Sequence, residues 1–273
     1  MRQNYLCCSG LVMFILLGCN VTQPAVVDKD TVSPIVLYTA TLDKFGYLYY
    51  ANKQQEVFKF DQEGTQQGYY SNNRLGNISI IDVTNPLKIL IYFQDFFTGI
   101  FLDRQLNATS TFNMIDLGFG QIEVVASSLD GALWIFDDHE QRLNKVDQQG
   151  RVLRRGQDLR LLFSQRLRPN KIIEANGRLH LNVPSRGLLI FDLFGQYQTQ
   201  LLLPDISDFN VIGDNVVYTI GDQLHSYSFD THRSEVIWEN PGGSDEKILW
   251  AGGDQIAIVA SDGIKNLSVS TVK

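Results

Sequence analysis

The sequence has little cysteine, little histidine and no long apolar run. It contains 3 Cys and 4 His in 273 residues. The longest apolar stretch, residues 6–17, spans about 12 residues, whereas a membrane-spanning helix needs about 20. This length excludes a transmembrane helix and, with Arg2 before it, predicts the core of a signal peptide.

The end of this stretch reads Leu16-Leu17-Gly18-Cys19. Two leucines and a small residue before cysteine resemble the lipobox of bacterial lipoproteins. The resemblance implies cleavage before Cys19 and a covalent lipid on its sulfur, with no other cofactor. We therefore expect a signal peptide (1–18), a flexible polar tether (19–33) and a folded domain (34–273). The alternative is an ordinary secretory signal that happens to contain cysteines.

Removal of residues 1–18 has consequences for chemistry and location. Cys7 and Cys8 leave with the signal, so no disulfide is expected. Arg2 leaves as well, which changes the net charge from −7 to −8 and argues against nucleic-acid binding. Asn20, in place of the aspartate that favours inner-membrane retention in enterobacterial lipoproteins, favours the outer membrane. We expect a lipid-anchored, periplasm-facing protein.

Beyond residue 34 the chain consists of short β segments separated by turn residues. An apolar residue followed by aspartate recurs every 38 to 45 residues, at Asp61, Asp103, Asp147, Asp192 and Asp230. This period is typical of a β-propeller blade. The sequence divides into six units, 34–76, 77–120, 121–168, 169–207, 208–244 and 245–273.

The predicted fold is therefore an all-β propeller of about six four-stranded blades. The last unit is short, and we expect a segment within Val26–Tyr38 to supply its missing edge strand. A β-sandwich is the alternative, but it does not explain the period. The repeat resembles NHL-like six-bladed propellers, and the anchored plan is similar to the propeller lipoprotein of the outer-membrane barrel-assembly machine.

No reactive constellation stands out, so we expect neither catalysis nor a metal site. The run Asp137-Asp138-His139-Glu140 reads as a solvated hairpin tip, with a divalent-ion site as the alternative. Asparagines near the starts of inner strands, Asn77, Asn170 and Asn210, could instead ligate calcium. The alternative function is thus a metal-dependent, lactonase-like hydrolase or a small-ligand binder at the central mouth.

The favoured function is a protein-binding scaffold or accessory subunit of an envelope complex, monomeric outside that complex. Loops between the second and third strands share one face with loops between blades. Aromatic and arginine residues, which are enriched at binding hot spots, are expected there: Phe96, Phe97, Phe119, Arg166, Arg168 and Arg186. The alternative is that Phe96 and Phe97 belong to the core.

Residues 151–171 contain seven cations and one acid, Asp158. On an acidic chain this segment predicts a positive patch that could dock an acidic partner or anionic headgroups. For Arg151 and Arg154 the alternative is that they are solvated charges on an outer strand, where they prevent pairing with the edge of another sheet. For Arg166 and Arg168 we favour the docking role.

Overall fold

The computed structural model describes residues 37–203, 206, 208–239, 247–252, 255–260 and 263–268. Side chains of residues 37, 38 and 247–268 are outside this description. Cys19, the tether and residues 26–36 also lie outside the described residues, so the lipid anchor stays a prediction. No helix among the described residues is long and apolar enough to cross a membrane.

The described chain forms antiparallel sheets whose strands follow one another in sequence order. The first two blades contain these strands: β1 Leu37–Leu42, β2 Leu48–Asn52, β3 Glu56–Phe60, β4 Gln66–Ser71, β5 Ile78–Asp82, β6 Ile89–Phe93, β7 Thr98–Leu102 and β8 Ala108–Asn113. The third and fourth contain these: β9 Val124–Ser127, β10 Leu133–Asp137, β11 Arg142–Val146, β12 Val152–Arg155, β13 Lys171–Ala175, β14 Arg178–Val183, β15 Gly187–Asp192 and β16 Tyr197–Leu201.

The fifth blade and the remaining sheet complete the order. The fifth blade contains β17 Asp208–Ile212, β18 Asn215–Ile220, β19 Gln223–Ser228 and β20 Arg233–Glu239. The remaining sheet contains β21 Lys247–Gly252, β22 Gln255–Ala260 and β23 Gly263–Ser268. The first strands of consecutive sheets contact one another, and β21 contacts β17 and β1, so these strands surround a central axis.

The prediction of six four-stranded blades is wrong, because the propeller has five such blades. The last sheet has three strands among the described residues, since its sequence unit is the shortest. Residues 26–36 of the segment expected to supply an edge strand lie outside the described residues, so that expectation stays a prediction. Leu37 and Tyr38, the described part of the segment, begin β1, the innermost strand of the first blade.

The core lies between the blades. Successive residues of a strand point to opposite faces, so Trp134 and Phe136 contact the fourth blade whereas Leu133 and Ile135 contact the second. Middle strands such as β6 and β7 are therefore buried throughout. The outer strand β12 is exposed throughout.

The repeated aspartate is a turn residue. Asp61, Asp103 and Asp147 directly follow the third strand of their blade, and Asp192 is the last residue of that strand. The carboxylates of all four accept backbone N–H groups two or four residues later. The residue three positions after each of these aspartates has positive φ. It is glycine in three blades but Leu106 in the second, with φ 66°.

Candidate functional site

We call the end of the propeller that carries the loops between second and third strands, and the loops between blades, the upper face. Hydrogen bonds join the two kinds of loop: the Arg166 guanidinium donates to the Asp138 carbonyl at 2.7 Å. All six predicted partner-binding residues lie in these loops. They fall at residues 94–97, 114–123, 156–170 and 184–186, which belong to the second, third and fourth blades.

The aromatic pair Phe96-Phe97 is divided by a tight turn. A short 3-10 helix, Gln94–Phe96, ends at Phe97, whose φ of 50° is left-handed. Phe96 is 53% exposed, whereas Phe97 packs against the core between the second and third blades. Phe119 packs against the same core, so the structure brings Phe97 and Phe119 to one cluster and leaves Phe96 exposed.

The basic segment is largely neutralised by Asp158 within it and by four acids outside it. The pairs are Arg151 with Asp147, Arg155 with Glu140, Arg160 with Asp158, Arg166 with Asp138 and Lys171 with Asp208. The hydrogen bond and charge of Arg160 lower the pKa of Asp158 to about 2. Arg168 is exposed and has no ion pair within the described part of the chain. It lines a shallow cavity of about 160 Å³ with Glu123, Asp138 and Pro169.

The acidic run 137–140 forms the turn between β10 and β11. Glu140 N–H donates to the Asp137 carboxylate at 2.8 Å, and Asp138 accepts from the Gln141 amide and from Arg166. In the described ranges, no group of three or more His, Cys, Asp or Glu side chains is arranged to hold a metal ion.

Arg186 lies between β14 and β15 and is half-buried. Its guanidinium carbon lies 5.0 Å from the ring centroid of Phe163, a residue of the connection between the third and fourth blades. The backbone carbonyl of Arg186 accepts the Gln200 amide at 2.6 Å. Both backbone and side chain are therefore held in place, and the stacking is a cation–π contact.

The central axis contains a cavity of about 380 Å³ between the innermost strands of all five blades. Among the described residues, three acids line it: Asp43 accepts hydrogen bonds within the first blade, whereas Asp82 and Glu174 join blades. Asp82 accepts the N–H of Ser127 at 2.6 Å, and Glu174 accepts Trp134 Nε1–H at 2.6 Å and Ser128 Oγ–H at 2.5 Å. These carboxylates fix the third blade against both of its neighbours.

The predicted asparagines also have structural partners. Asn77 donates to Asp95 and accepts from Gln55, and Asn170 accepts the Asn182 amide at 2.9 Å. Asn210 accepts the N–H of Val211. These hydrogen bonds hold turns and strand ends, which is the common structural role of asparagine and the alternative to calcium ligation.

One buried histidine lies neither on the upper face nor in the lining of the axial cavity. His180, on β14, is 1% exposed, and its Nδ1 lies 3.4 Å from the carbonyl oxygen of Ile173. Burial in an apolar environment lowers its pKa to about 4. The ring is therefore neutral at pH 7 and belongs to the core.

Sequence reasoning missed two kinds of residue. Gln55 and Gln141 have left-handed backbones in equivalent loops, and each accepts a backbone N–H at the entry to the next blade, that of Ile78 or Leu167. An alignment of the repeat units could have revealed them. Exposed leucines on the upper face were also missed: Leu161, Leu162 and Leu202.

Comparisons with known proteins agree on the fold. No protein-family model matches the chain, and no curated protein matches it in sequence. A streptogramin B lyase structure is similar with a TM-score of 0.56 and 13% identity, covering 88% of this chain and 85% of that one. Virginiamycin B lyase from Staphylococcus aureus is similar with a TM-score of 0.55 and 10% identity, and the match covers 87% of this chain and 86% of that one. BamB from Moraxella catarrhalis has a TM-score of 0.40 and 14% identity, and the match covers 86% of this chain and 71% of that one. At these identities the likeness concerns the fold alone, and the chain is similar in fold to solved β-propellers.

Proposed function

We propose that this chain is a cell-envelope β-propeller that binds another protein through its upper face and carries out no catalytic step. Its lipid anchor would be attached at Cys19 and place the domain in the periplasm, at the outer membrane. The anchor rests on the lipobox-like sequence, and the binding surface rests on the geometry of residues 94–97, 114–123 and 156–203.

The observation that carries the proposal is the combination of exposed apolar and unpaired basic side chains on one face. Phe96, Ile115, Leu161 and Leu202 are each more than half exposed. Arg168 on the same face has no ion pair among the described residues. Large apolar side chains beside arginine are the composition of protein-binding hot spots.

The lower face carries the loops between first and second strands and between third and fourth strands. It also has exposed apolar residues, among them Phe45 at 58% and Phe194 at 60%, and a cation lies near each of these two rings. Lys44 Nζ lies 5.2 Å from the ring centroid of Phe45, and Arg154 lies 5.7 Å from that of Phe194. Leu87 and Leu129 are exposed there as well. Phe45 therefore provides a matched control for Phe96.

Affinity capture tests this function. The full chain, cross-linked in cells and purified in mild detergent, should retain a stoichiometric protein partner. Phe96→Ser combined with Arg168→Glu should reduce recovery of that partner at least about tenfold, the scale of a 1.4 kcal/mol hot spot. Phe45→Ser should leave recovery unchanged. Recovery of no partner, or equal loss with both variants, would contradict the proposal.

A second candidate function is a small-ligand or enzymatic site in the central cavity. It is favoured by the volume of about 380 Å³ on the axis, and two fold neighbours are lyases. A thermal-shift assay with streptogramin B, and a second one with EDTA, separates the two functions. Under our proposal neither addition changes the melting temperature, whereas a reproducible shift would favour the second candidate.

A further inference from the structure

The Arg186 side chain has the geometry of a prepared carboxylate receptor. Its guanidinium carbon lies 5.0 Å from the ring centroid of Phe163, while none of its N–H groups donates a hydrogen bond within the described residues. An arginine fork held in this way can bind both oxygens of a carboxylate. Stacking also reduces the side-chain entropy lost on binding.

Exposed leucines border this arginine on both sides. Leu161 is 81% exposed and Leu162 is 44% exposed, and they directly precede Phe163. On the other side, the backbone of residues 201–203 approaches Gly187 so closely that a Cβ there would lie 2.6 Å from the Leu203 nitrogen. Leu202, in this segment, is 80% exposed. The Leu–Arg surface thus consists of Leu161, Leu162, Phe163, Arg186 and Leu202.

The charge around this surface is positive although the chain is acidic overall. Arg142 and Arg160 share Asp158, and Arg142 and Arg155 share Glu140. Each of these acids is thus already bonded to two arginines. Arg168 and Arg186 remain without an ion pair in the part of the chain that the structure describes, which favours an anionic partner.

We propose that the Leu–Arg surface binds an acidic segment of the partner protein, in which a carboxylate side chain lies between large apolar residues. Arg186 binds the carboxylate, and Leu161, Leu162 and Leu202 contact the apolar neighbours. This inference rests on the proposed protein-binding function and specifies the chemistry of the partner. It adds Leu161, Leu162, Phe163 and Leu202 to the predicted face, at the junction of the third and fourth blades.

Short fluorescent peptides test the recognition directly. The probe alternates aspartate with leucine and phenylalanine, and control peptides replace aspartate by asparagine or leucine by serine. Fluorescence anisotropy with the full chain in mild detergent should show binding of the probe, with each control at least about tenfold weaker. Equal binding of all three peptides, or binding of none, would overturn the proposal.

Protein variants identify the surface. Arg186→Lys keeps the charge but loses the planar guanidinium that binds both carboxylate oxygens, so we expect about tenfold weaker binding of the probe. Leu161→Ser with Leu202→Ser should weaken it by a similar factor. Arg154→Lys is the matched control, because Arg154 also stacks on a phenylalanine but lies on β12. Circular dichroism melting verifies that each variant is folded, and equal effects of Arg186→Lys and Arg154→Lys would refute the assignment.

Two further measurements test whether the Leu–Arg surface instead binds a membrane or a second copy of this chain. Flotation with phosphatidylglycerol vesicles, using Cys19→Ser protein, would show membrane binding, and sedimentation would show self-association. A dependence of either on Leu161 and Leu202 would overturn the proposal. If Arg186→Lys protein still captures its partner while Phe96→Ser with Arg168→Glu does not, this inference fails and the proposed function stands.

Discussion

Removal of the Glu174 carboxylate should destabilise the propeller by breaking the contact between the third and fourth blades. Glu174 is 5% exposed and accepts hydrogen bonds from Trp134 Nε1 and Ser128 Oγ, which are also buried. A buried donor left without an acceptor costs about 1–3 kcal/mol. Glu174→Ala leaves two such donors without their acceptor, so we expect it to cost about 3 kcal/mol in total.

Urea unfolding monitored by tryptophan fluorescence measures this cost. With a slope of about 3 kcal/mol per molar urea, the midpoint of Glu174→Ala should fall by about 1 M. Glu174→Gln retains one oxygen acceptor, and its midpoint should fall by about 0.3 M. Glu63→Ala, in an exposed turn, should change stability by less than about 0.5 kcal/mol.

A double-mutant cycle isolates the contact itself. Trp134→Phe removes the indole N–H, so its combination with Glu174→Ala should be less destabilising than the sum by about 1–2 kcal/mol. Strict additivity, or a Glu174→Ala midpoint within about 0.3 M of the wild type, would refute the role that we assign to this carboxylate.

Three further outcomes follow from the structure. Gly99→Ala should lower stability by about 1–3 kcal/mol in urea unfolding, because its Cβ would overlap the buried ring of Phe112, whereas Gly120→Ala, with nothing within 4 Å, should be neutral. Burial depresses the pKa of His180 to about 4, so as the pH falls below about 6.5 the unfolded chain binds a proton that the folded chain does not. The free energy of unfolding should therefore drop by about 2 kcal/mol between pH 7 and pH 5. His180→Gln should remove this pH dependence, and an unchanged dependence in that variant would contradict the assignment. Cys19→Ser should move the protein from the membrane to the soluble fraction, and mass spectrometry should find acyl chains on the wild type alone.

Strand positions were predictable where turn residues bracket a strand. The alternating segments Arg178–Val183 and Asn215–Ile220 follow the turn residues Asn176-Gly177 and Gly213-Asp214, and this pattern predicts strands with the bounds of β14 and β18. The turn at Gly150 likewise predicts the edge strand Val152–Arg155, which is β12. Local turn chemistry decides these boundaries, so one sequence is sufficient to find them.

The blade number depends on how the ends of the chain meet, which no local pattern records. The period placed a sixth unit at residues 245–273, but only three strands are described there, and Leu37–Leu42 is an innermost strand. A count of repeat units therefore overestimated the number of complete blades.

The topology predicted which loops share the upper face, but the sequence did not predict the ion pairs on it. Arg166 pairs with an acid 28 residues earlier in the chain, and Lys171 pairs with one 37 residues later. A local count of charges could not include these acids. Likewise, the left-handed turn at Phe97 decides which phenylalanine is exposed, and no glycine marks that turn.

The carboxylates that join the third blade to its neighbours have a consequence for how the chain acquires its structure. Asp82 precedes Ser127 by 45 residues, and Glu174 follows Ser128 by 46. During synthesis, the carboxylate of Asp82 in the second blade therefore has no donor until a whole further repeat has been made. Contacts of such sequence separation slow folding, so the faces of the second and third blades stay exposed until the next blade has formed.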